Sequence, residues 1–279
     1  MIPRIGVLEG RLTPAEGRGI QFFPDAPGEW GREFKSAREA GLDSIELLAR
    51  PTNLAEHPLM SAGGRKRIAE LSQEHGIVIP SVHAYFSKDE QYADDLLGIV
   101  TATAQVDART VLISFFKERK LSPEPDADWE HAHRLIAPAA RRAKEIGVCL
   151  GIEAELPAEV LRSFISAAET PEAFGVYYDL GNQFACGFPV VDEIHSLGNL
   201  IVGVHVKDRQ PVTQDDIESP SVPLGEGNAD FKAAFTALRE VGYNRDLILQ
   251  AARGKDGGEI SLYREYRAYL APIVEASWQ

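Results

Sequence analysis

The feature that most constrains the fold is a regular alternation of short apolar runs with amphipathic stretches, which recurs eight times. Divided among eight repeats, the 279 residues leave about 35 per repeat, enough for a strand, a helix and two loops. The apolar runs are rich in β-branched residues and mostly continuous, which is typical of parallel strands buried on both faces. The predicted strands are Ile5–Leu8, Ser44–Leu48, Val78–His83, Thr110–Phe115, Val148–Glu153, Val176–Asp179, Ile201–Val206 and Leu247–Gln250.

The amphipathic stretches predict helices, several of which end at a glycine that suits a helix C-terminus. The predicted helices are Glu29–Ala40, Ser61–His75, Asp89–Gln105, Trp129–Ile146, Pro157–Ala168, Asp230–Val241 and Glu259–Val274, with a shorter one at Pro189–Leu197. Eight strand-then-helix units without a linker predict a single (β/α)₈ TIM barrel that spans residues 1–279 as one domain.

A doubly wound sheet is the alternative architecture, but it needs a glycine-rich phosphate-binding turn after the first strand. The residues from Gly6 to Arg11 do not form that motif. The long polar segment Arg209–Gly227 follows the seventh strand, so we expect a functional loop over the barrel mouth.

Composition excludes several classes of protein. A net charge of −13 without a basic face argues against nucleic acid as a partner. The sequence has no apolar run near the roughly 18 residues that a membrane helix needs, so no membrane partner is expected. The first ten residues do not resemble a signal peptide, and Cys149 and Cys186 therefore indicate reduced thiols in a cytoplasmic protein.

Polar side chains end five of the predicted strands, at the rim where barrel enzymes hold their active sites. These residues are His83, Glu153, Asp179, His205 and Gln250. Two carboxylates that converge at the end of apolar strands repel each other, and a divalent cation relieves that repulsion. One imidazole, two carboxylates and an amide oxygen suit Mn²⁺ or Mg²⁺ first, with Co²⁺ and Zn²⁺ left open.

Each of these residues also has a purely structural interpretation. His83 could be a hydrogen-bonded rim residue, Asp179 could shape the turn before Gly181, and His205 could be an ordinary strand exit. Glu153, which follows mostly apolar residues, is the hardest to explain in structural terms.

The segments that contain these residues resemble the xylose-isomerase-like TIM-barrel superfamily over the whole chain. The resemblance is closest to its sugar-phosphate isomerase/epimerase branch, which includes L-ribulose-5-phosphate 3-epimerase. The matching segments are Gly6–Pro14, Gly151–Pro157, Tyr177–Asn182, Val204–Arg209, Val222–Gly227 and Leu249–Gly254.

The resemblance implies one divalent metal ion, commonly Mn²⁺, held by Glu153, Asp179, His205 and the residue on the eighth strand. That last residue is a glutamate in the family epimerases and Gln250 here. The resemblance also implies that Glu153 is the base that removes a proton next to a ketose carbonyl.

Further residues are candidates for contact with a substrate. Glu159 resembles a family glutamate that contacts substrate hydroxyls, although a solvated residue in a first helical turn is an equal alternative. Asn182 could bind a substrate hydroxyl or hold the turn. Arg11, Arg209 and Arg253 are candidate anion binders because a guanidinium group matches phosphate geometry.

Gln250 bears on the reaction, because an amide cannot exchange a proton near neutral pH. Epimerisation needs proton transfer on two faces of the substrate, whereas isomerisation can use one base. The sequence therefore predicts a metal-dependent isomerase or epimerase of a small sugar, keto-sugar or sugar phosphate. The options left open are a one-base isomerase, an epimerase that uses His83 as its second catalytic group, and a related lyase or dehydratase.

Two other classes of function compete with this interpretation. A DNA-repair nuclease on the same scaffold, such as endonuclease IV, would need more histidine and carboxylate ligands than the strand ends offer. A sugar-binding protein without turnover is the other, because a lost carboxylate can mark a lost activity. A homo-oligomer is also left open, since Tyr269 and Trp278 could lie in an interface.

Overall fold

Eight parallel strands close into a barrel, which confirms the predicted (β/α)₈ fold. The computed structural model of the chain describes residues 2–26, 28–49, 51–210 and 221–279. The barrel strands are β1 (Ile5–Leu8), β2 (Ser44–Ala49), β3 (Ser81–Tyr85), β4 (Thr110–Phe115), β5 (Cys149–Ala154), β6 (Phe174–Asp179), β7 (Ile201–Val206) and β10 (Leu247–Leu249). They are hydrogen-bonded in chain order from β1 to β7, and β10 closes the barrel between β7 and β1.

Helices follow the strands and cover the outside of the barrel. They are α1 (Glu29–Ala40), α2 (Ala62–His75), α3 (Tyr92–Ala104), α4 (Ala127–Ile146), α5 (Ala158–Ser166), α6 (Leu180–Ala185), α7 (Val190–Leu197), α8 (Phe231–Glu240) and α9 (Glu259–Ser277). Short 3₁₀ turns lie at Pro51–Glu56, Pro58–Met60, Lys117–Arg119, Pro171–Ala173 and Gly198–Leu200. Among the helices within the described ranges, none is both long and apolar enough to cross a bilayer.

Several elements begin or end one to three residues away from their predicted bounds, and one helix was not predicted. The third strand begins at Ser81 rather than Val78, because Pro80 has no N–H to donate to a ladder. Val78 instead makes an isolated parallel bridge with Ser44. Helix α6 was not predicted: its six residues follow Asp179 directly, and the sequence there was interpreted as a turn.

The strands are buried on both faces, but the two faces differ in chemistry. The outward face packs with the helices into one large apolar core. The inward apolar cluster is small and consists of Leu8, Leu48 and Ile248, with Tyr85 against it. Most of the remaining inward space holds buried polar side chains, so the barrel interior is the place to look for chemistry.

The predicted loop over the barrel mouth is described only in part, because residues 211–220 lie outside the described residues. On either side of them, β8 (Asp208–Arg209) and β9 (Ser221–Val222) form a two-stranded antiparallel ribbon. Asp208 holds the returning segment, because its carboxylate accepts hydrogen bonds from the N–H groups of Gly225, Gly227 and Ala229. The N–H groups of Gly225 and Gly227 are therefore directed at Asp208.

Candidate active site

Three of the predicted metal ligands meet inside the barrel. Glu153, Asp179 and His205 lie on the adjacent strands β5, β6 and β7, and one donor atom from each lies within 4.8 Å of the other two. His205 Nδ1 is 3.5 Å from Glu153 Oε1 and 3.8 Å from Asp179 Oδ2. All three side chains are buried. The strand register brings together groups that are far apart in sequence.

Asp179 has the structural role that its sequence context allowed, and its role as a metal ligand stays a prediction. It ends β6 and caps helix α6, because its Oδ1 accepts a hydrogen bond of 2.9 Å from the backbone N–H of Asn182. Its Oδ2 points to the other side, towards His205. The helix cap thereby fixes the direction in which the second carboxylate oxygen faces.

The electrostatics of this centre favour a cation. Burial raises the pKa of Glu153 to about 7, although the neighbouring His205 opposes that rise. Burial lowers the pKa of His205, but the carboxylates of Glu46 and Glu153 outweigh it and raise that pKa to about 10. Both oxygens of Glu153 and Nδ1 of His205 lack a hydrogen-bond partner among the described residues. Buried donor and acceptor atoms without partners are costly, so this set fits a divalent metal ion.

Gln250, the fourth predicted ligand, is engaged by a lysine. Its Oε1 accepts a hydrogen bond of 2.7 Å from Lys207 Nζ, and the same ammonium lies 2.8 Å from Asp179 Oδ2. The amide oxygen that was expected to bind the metal ion therefore faces Lys207, and the role of Gln250 as a ligand stays a prediction.

Lys207 lies beside the candidate centre and is a residue that sequence reasoning missed. Its position contained a signal: it lies two residues after His205, and side chains two apart on an extended segment face the same way. Its ammonium helps to lower the pKa of Asp179, against the effect of burial.

Glu46 is the second residue that was missed. It lies in the middle of β2, inside the run Ser44–Ala49, and is fully buried. The signal was the one used for Glu153, a carboxylate within an apolar strand. His205, Ser81 and Tyr177 all donate hydrogen bonds to it, at 2.8, 2.6 and 2.5 Å.

His83, the predicted additional catalytic group, is fully buried below the rim. Its Nε2 is 2.9 Å from Ser114 Oγ, its Nδ1 is 3.7 Å from Glu46 Oε1, and its ring stacks on Tyr85. These contacts provide the hydrogen-bonded structural role that the sequence also allowed. A role in proton transfer stays a prediction.

The predicted anion-binding arginines make contacts within the protein. Arg253 donates hydrogen bonds to the backbone oxygens of Gly10, Thr13 and Ile20. These bonds hold the loop after β1 in place. Arg11 is buried and donates to the carbonyl of Ala251. Their part in substrate binding stays a prediction.

A polar chain crosses the mouth beside the centre. Arg209 Nη1 donates to Asn182 Oδ1 at 2.8 Å and lies 3.3 Å from Glu155 Oε1, whose partner oxygen is 2.8 Å from Lys120 Nζ. The structure thus brings Arg209 and Asn182 together, as substrate contacts would require. Glu159 lies exposed in the first turn of α5, so the solvated alternative is the one observed.

Solved structures share this architecture over nearly the whole chain. The structure of an L-ribulose 3-epimerase aligns with a TM-score of 0.73 and 20% identity, and covers 99% of this chain and 95% of that one. A xylose isomerase-like TIM barrel protein from Mycobacterium smegmatis in complex with magnesium aligns with a TM-score of 0.72 and 15% identity, and covers 99% and 98%. At these identities the likeness shows the fold.

Sequence comparison extends the similarity to a curated relative. SgbU of Escherichia coli K12, provisionally named an L-ribulose-5-phosphate 3-epimerase, is 26% identical over 239 residues, which are 79% of this chain and 83% of SgbU. The family model described as xylose isomerase-like TIM barrel matches residues 34–270. The chain therefore belongs to the xylose isomerase-like TIM barrel family.

Proposed function

We propose that the protein is a divalent-metal-dependent epimerase or isomerase of a small ketose, keto-sugar or sugar phosphate, with Glu153 as the base. The observation that carries this proposal is the meeting of Glu153, Asp179 and His205 inside the barrel. The names of the relatives support the substrate class, since both the L-ribulose 3-epimerase and SgbU are named for 3-epimerisation of a ribulose.

Glu153, Asp179 and His205 would hold the ion. When bound, a divalent cation supplies electrophilic polarisation of a ketose carbonyl, which makes the neighbouring C–H acidic. Mn²⁺ is our first choice, because two of the three donors are carboxylates, with Mg²⁺, Co²⁺ and Zn²⁺ as the other options.

Glu153 is suited to accept the proton. A general base works best when its pKa lies near the operating pH, and burial places the pKa of this carboxyl at about 7. One of its carboxylate oxygens would serve the ion as a ligand, and the other would accept the proton.

Return of the proton distinguishes the two reactions. A single carboxylate can return it on the face from which it was taken, which gives isomerisation. Epimerisation needs a donor on the opposite face, and Gln250 does not supply one. Lys207 holds the Gln250 oxygen, so the amide N–H groups are the part of Gln250 that can meet a substrate oxygen.

A screen in D₂O tests the proposed function. The purified protein is loaded with Mn²⁺ and incubated with ketoses and ketose 5-phosphates, and NMR records deuterium at the carbon next to the carbonyl. We expect exchange with at least one sugar, lost in the Glu153→Gln variant by about 10²–10⁴-fold and lost on chelation of the metal. No exchange with any sugar, with a metal bound, would contradict catalysis.

The lost carboxylate also supports a second candidate, a sugar-binding protein without turnover. Such a protein would bind a ketose in a calorimeter and exchange no deuterium. Gln250→Glu separates the cases further: a gain of 3-epimerase activity would mean that a proton donor was limiting. If the activity does not change, either the native reaction is not epimerisation or another group already donates the proton.

A further inference from the structure

Beneath the candidate metal centre, Glu46, Ser81 and Tyr177 form a cluster that we call the barrel floor. The carboxylate of Glu46 is the shared acceptor of this cluster. Its Oε2 accepts hydrogen bonds from Ser81 Oγ and Tyr177 Oη, and its Oε1 accepts one from His205 Nε2 at 2.8 Å. The side chain has no exposed surface. A buried carboxylate with three donors has a fixed position, because moving it would break several hydrogen bonds at once.

His205 connects this floor to the centre above it. One ring nitrogen, Nε2, faces Glu46, and the other, Nδ1, faces Glu153 and Asp179. An imidazole that donates its Nε2–H to a carboxylate presents the lone pair of Nδ1, which is the form that binds a metal ion.

We propose that Glu46 is a positioning residue, which holds the His205 ring so that Nδ1 points at Glu153 and Asp179. This inference rests on the proposed metal site. Glu46 itself does not touch the ion or the substrate, and it acts through His205.

The strands on either side of Tyr177 leave room for its side chain to reach Glu46. The Tyr177 ring crosses the barrel floor between Gly151 on β5 and Gly203 on β7. A Cβ atom at Gly203 would lie 2.2 Å from the ring, and one at Gly151 would lie 3.1 Å from Tyr177 Cβ. Glycine inside a strand often marks such a close approach. The two glycines thus leave the space through which the Tyr177 hydroxyl reaches Glu46.

A competing interpretation is that the floor is itself a metal site. One donor atom each from Glu46, His83 and His205 also lies within 4.8 Å of the other two. A second ion there would have to replace the hydrogen bond between Glu46 and His205 Nε2. The three short hydrogen bonds to Glu46 favour positioning, and the number of bound ions decides between the two.

The Glu46→Gln variant tests the proposal, with Glu193→Gln as its matched control. Glu193 is also a buried carboxylate that accepts a tyrosine hydroxyl, from Tyr178 at 2.8 Å, and a backbone N–H, from Ala158. It lies on helix α7, outside the barrel. Both variants lose a buried charge next to a tyrosine, but only the first alters the partner of His205.

The first readout is the dissociation constant for Mn²⁺, measured by calorimetry on each full-length protein, together with the visible absorption spectrum of the Co²⁺-loaded forms. We expect Glu46→Gln to weaken Mn²⁺ binding by about 10–100-fold and to shift the Co²⁺ spectrum, because loss of an outer partner of a ligand histidine has that effect. We expect Glu193→Gln to leave both unchanged, even where it lowers the melting temperature.

The outcomes are distinct. If Glu46→Gln destabilises the protein but leaves the Mn²⁺ dissociation constant within about twofold, the role of Glu46 is structural and the proposal is wrong. Two ions bound to the parent protein and one to Glu46→Gln would favour the floor site instead. If the parent binds no metal, the proposed function fails as well.

A second measurement needs no variant at Glu46. The parent protein is labelled with ¹⁵N-histidine and loaded with diamagnetic Zn²⁺, and the His205 signals are assigned by comparison with His205→Gln. We expect the proton on Nε2 and the metal-induced shift on Nδ1. A metal-induced shift on Nε2 would overturn the proposal even if the variant fails to fold.

Discussion

The two sides of the His205 ring differ in the hydrogen bonding of their carboxylates. On the floor side, Glu46 is saturated by donors from three side chains. On the mouth side, both oxygens of Glu153 lack a hydrogen-bond partner among the described residues, and Asp179 Oδ2 faces a lysine ammonium. Both sides are buried, so burial alone does not distinguish them.

The comparison teaches how to separate a supporting carboxylate from a ligand. A buried acid whose hydrogen bonds are complete is part of the scaffold, and its pKa stays low, as it does for Glu46, where the nearby histidines outweigh burial. A buried acid whose oxygens are left without donors needs a further partner. Glu153, with a pKa raised to about 7 by burial, is of the second kind.

The Asp179→Asn variant is the strongest test of the difference between the two sides of the His205 ring. The amide keeps an oxygen for the cap of α6 but removes the charge that faces His205. We expect Mn²⁺ binding to weaken by more than about 100-fold, beyond the range typical of outer partners of a metal ligand. Calorimetry measures the effect, and Asp126→Asn, which alters the cap of α4, is the control. Equal metal affinity in both variants would remove Asp179 from the centre.

Gly203→Ala tests the floor. The added Cβ would meet the Tyr177 ring at 2.2 Å, and the ring is packed inside a closed barrel. We expect the free energy of unfolding to fall by about 1–3 kcal/mol, as is usual for overpacking. Urea denaturation measures the loss. Gly63→Ala, at an exposed glycine of α2 whose Cβ would meet nothing, controls for glycine replacement. A stable Gly203→Ala protein would mean that Tyr177 has room to move.

The pH dependence of metal binding should distinguish the titration of His205 from that of Glu153. A cation must displace the proton from His205, whose pKa is about 10, so affinity should fall by about tenfold per pH unit from pH 9 to pH 7. Below about pH 7, Glu153 also becomes protonated and competes, so the slope should steepen.

Calorimetry across this range locates the change in slope, and Glu153→Gln should abolish it. Because Glu153 also raises the pKa of His205, the variant should bring competition by the His205 proton to a lower pH. A single slope through pH 7 in the parent protein would show that Glu153 is not a ligand that titrates there.

Tyr177→Phe is the smallest expected effect. It removes one of the three hydrogen bonds to Glu46, and Ser81 and His205 still donate to it. We expect a loss of about 1 kcal/mol in the free energy of unfolding. Tyr178→Phe removes the matching hydroxyl from Glu193 and is the control. A loss of metal affinity as large as that in Asp179→Asn would show that the floor and the mouth are not separate.

The structure explains why Gln250 and Lys207 could not be paired in advance. The sequence places them 43 residues apart, just after β10 and just after β7, and these two strands are neighbours in the barrel. The hydrogen bond between them depends on the direction that each side chain takes at the end of its strand. The interpretation of Gln250 as a metal ligand rested on its place at a strand end and on the family resemblance, and neither gave information on its neighbour.

The sequence by itself determined the barrel and three members of the candidate centre. The patterns that predict strands and helices involve residues close in sequence. The ends of parallel strands meet at one rim of a barrel, which is why Glu153, Asp179 and His205 could be named together. Only the tertiary structure decided which way each side chain faces. The two nitrogens of His205, the saturated Glu46 and the lysine on Gln250 all depend on hydrogen bonds across strands, and such bonds form only between residues that folding brings together.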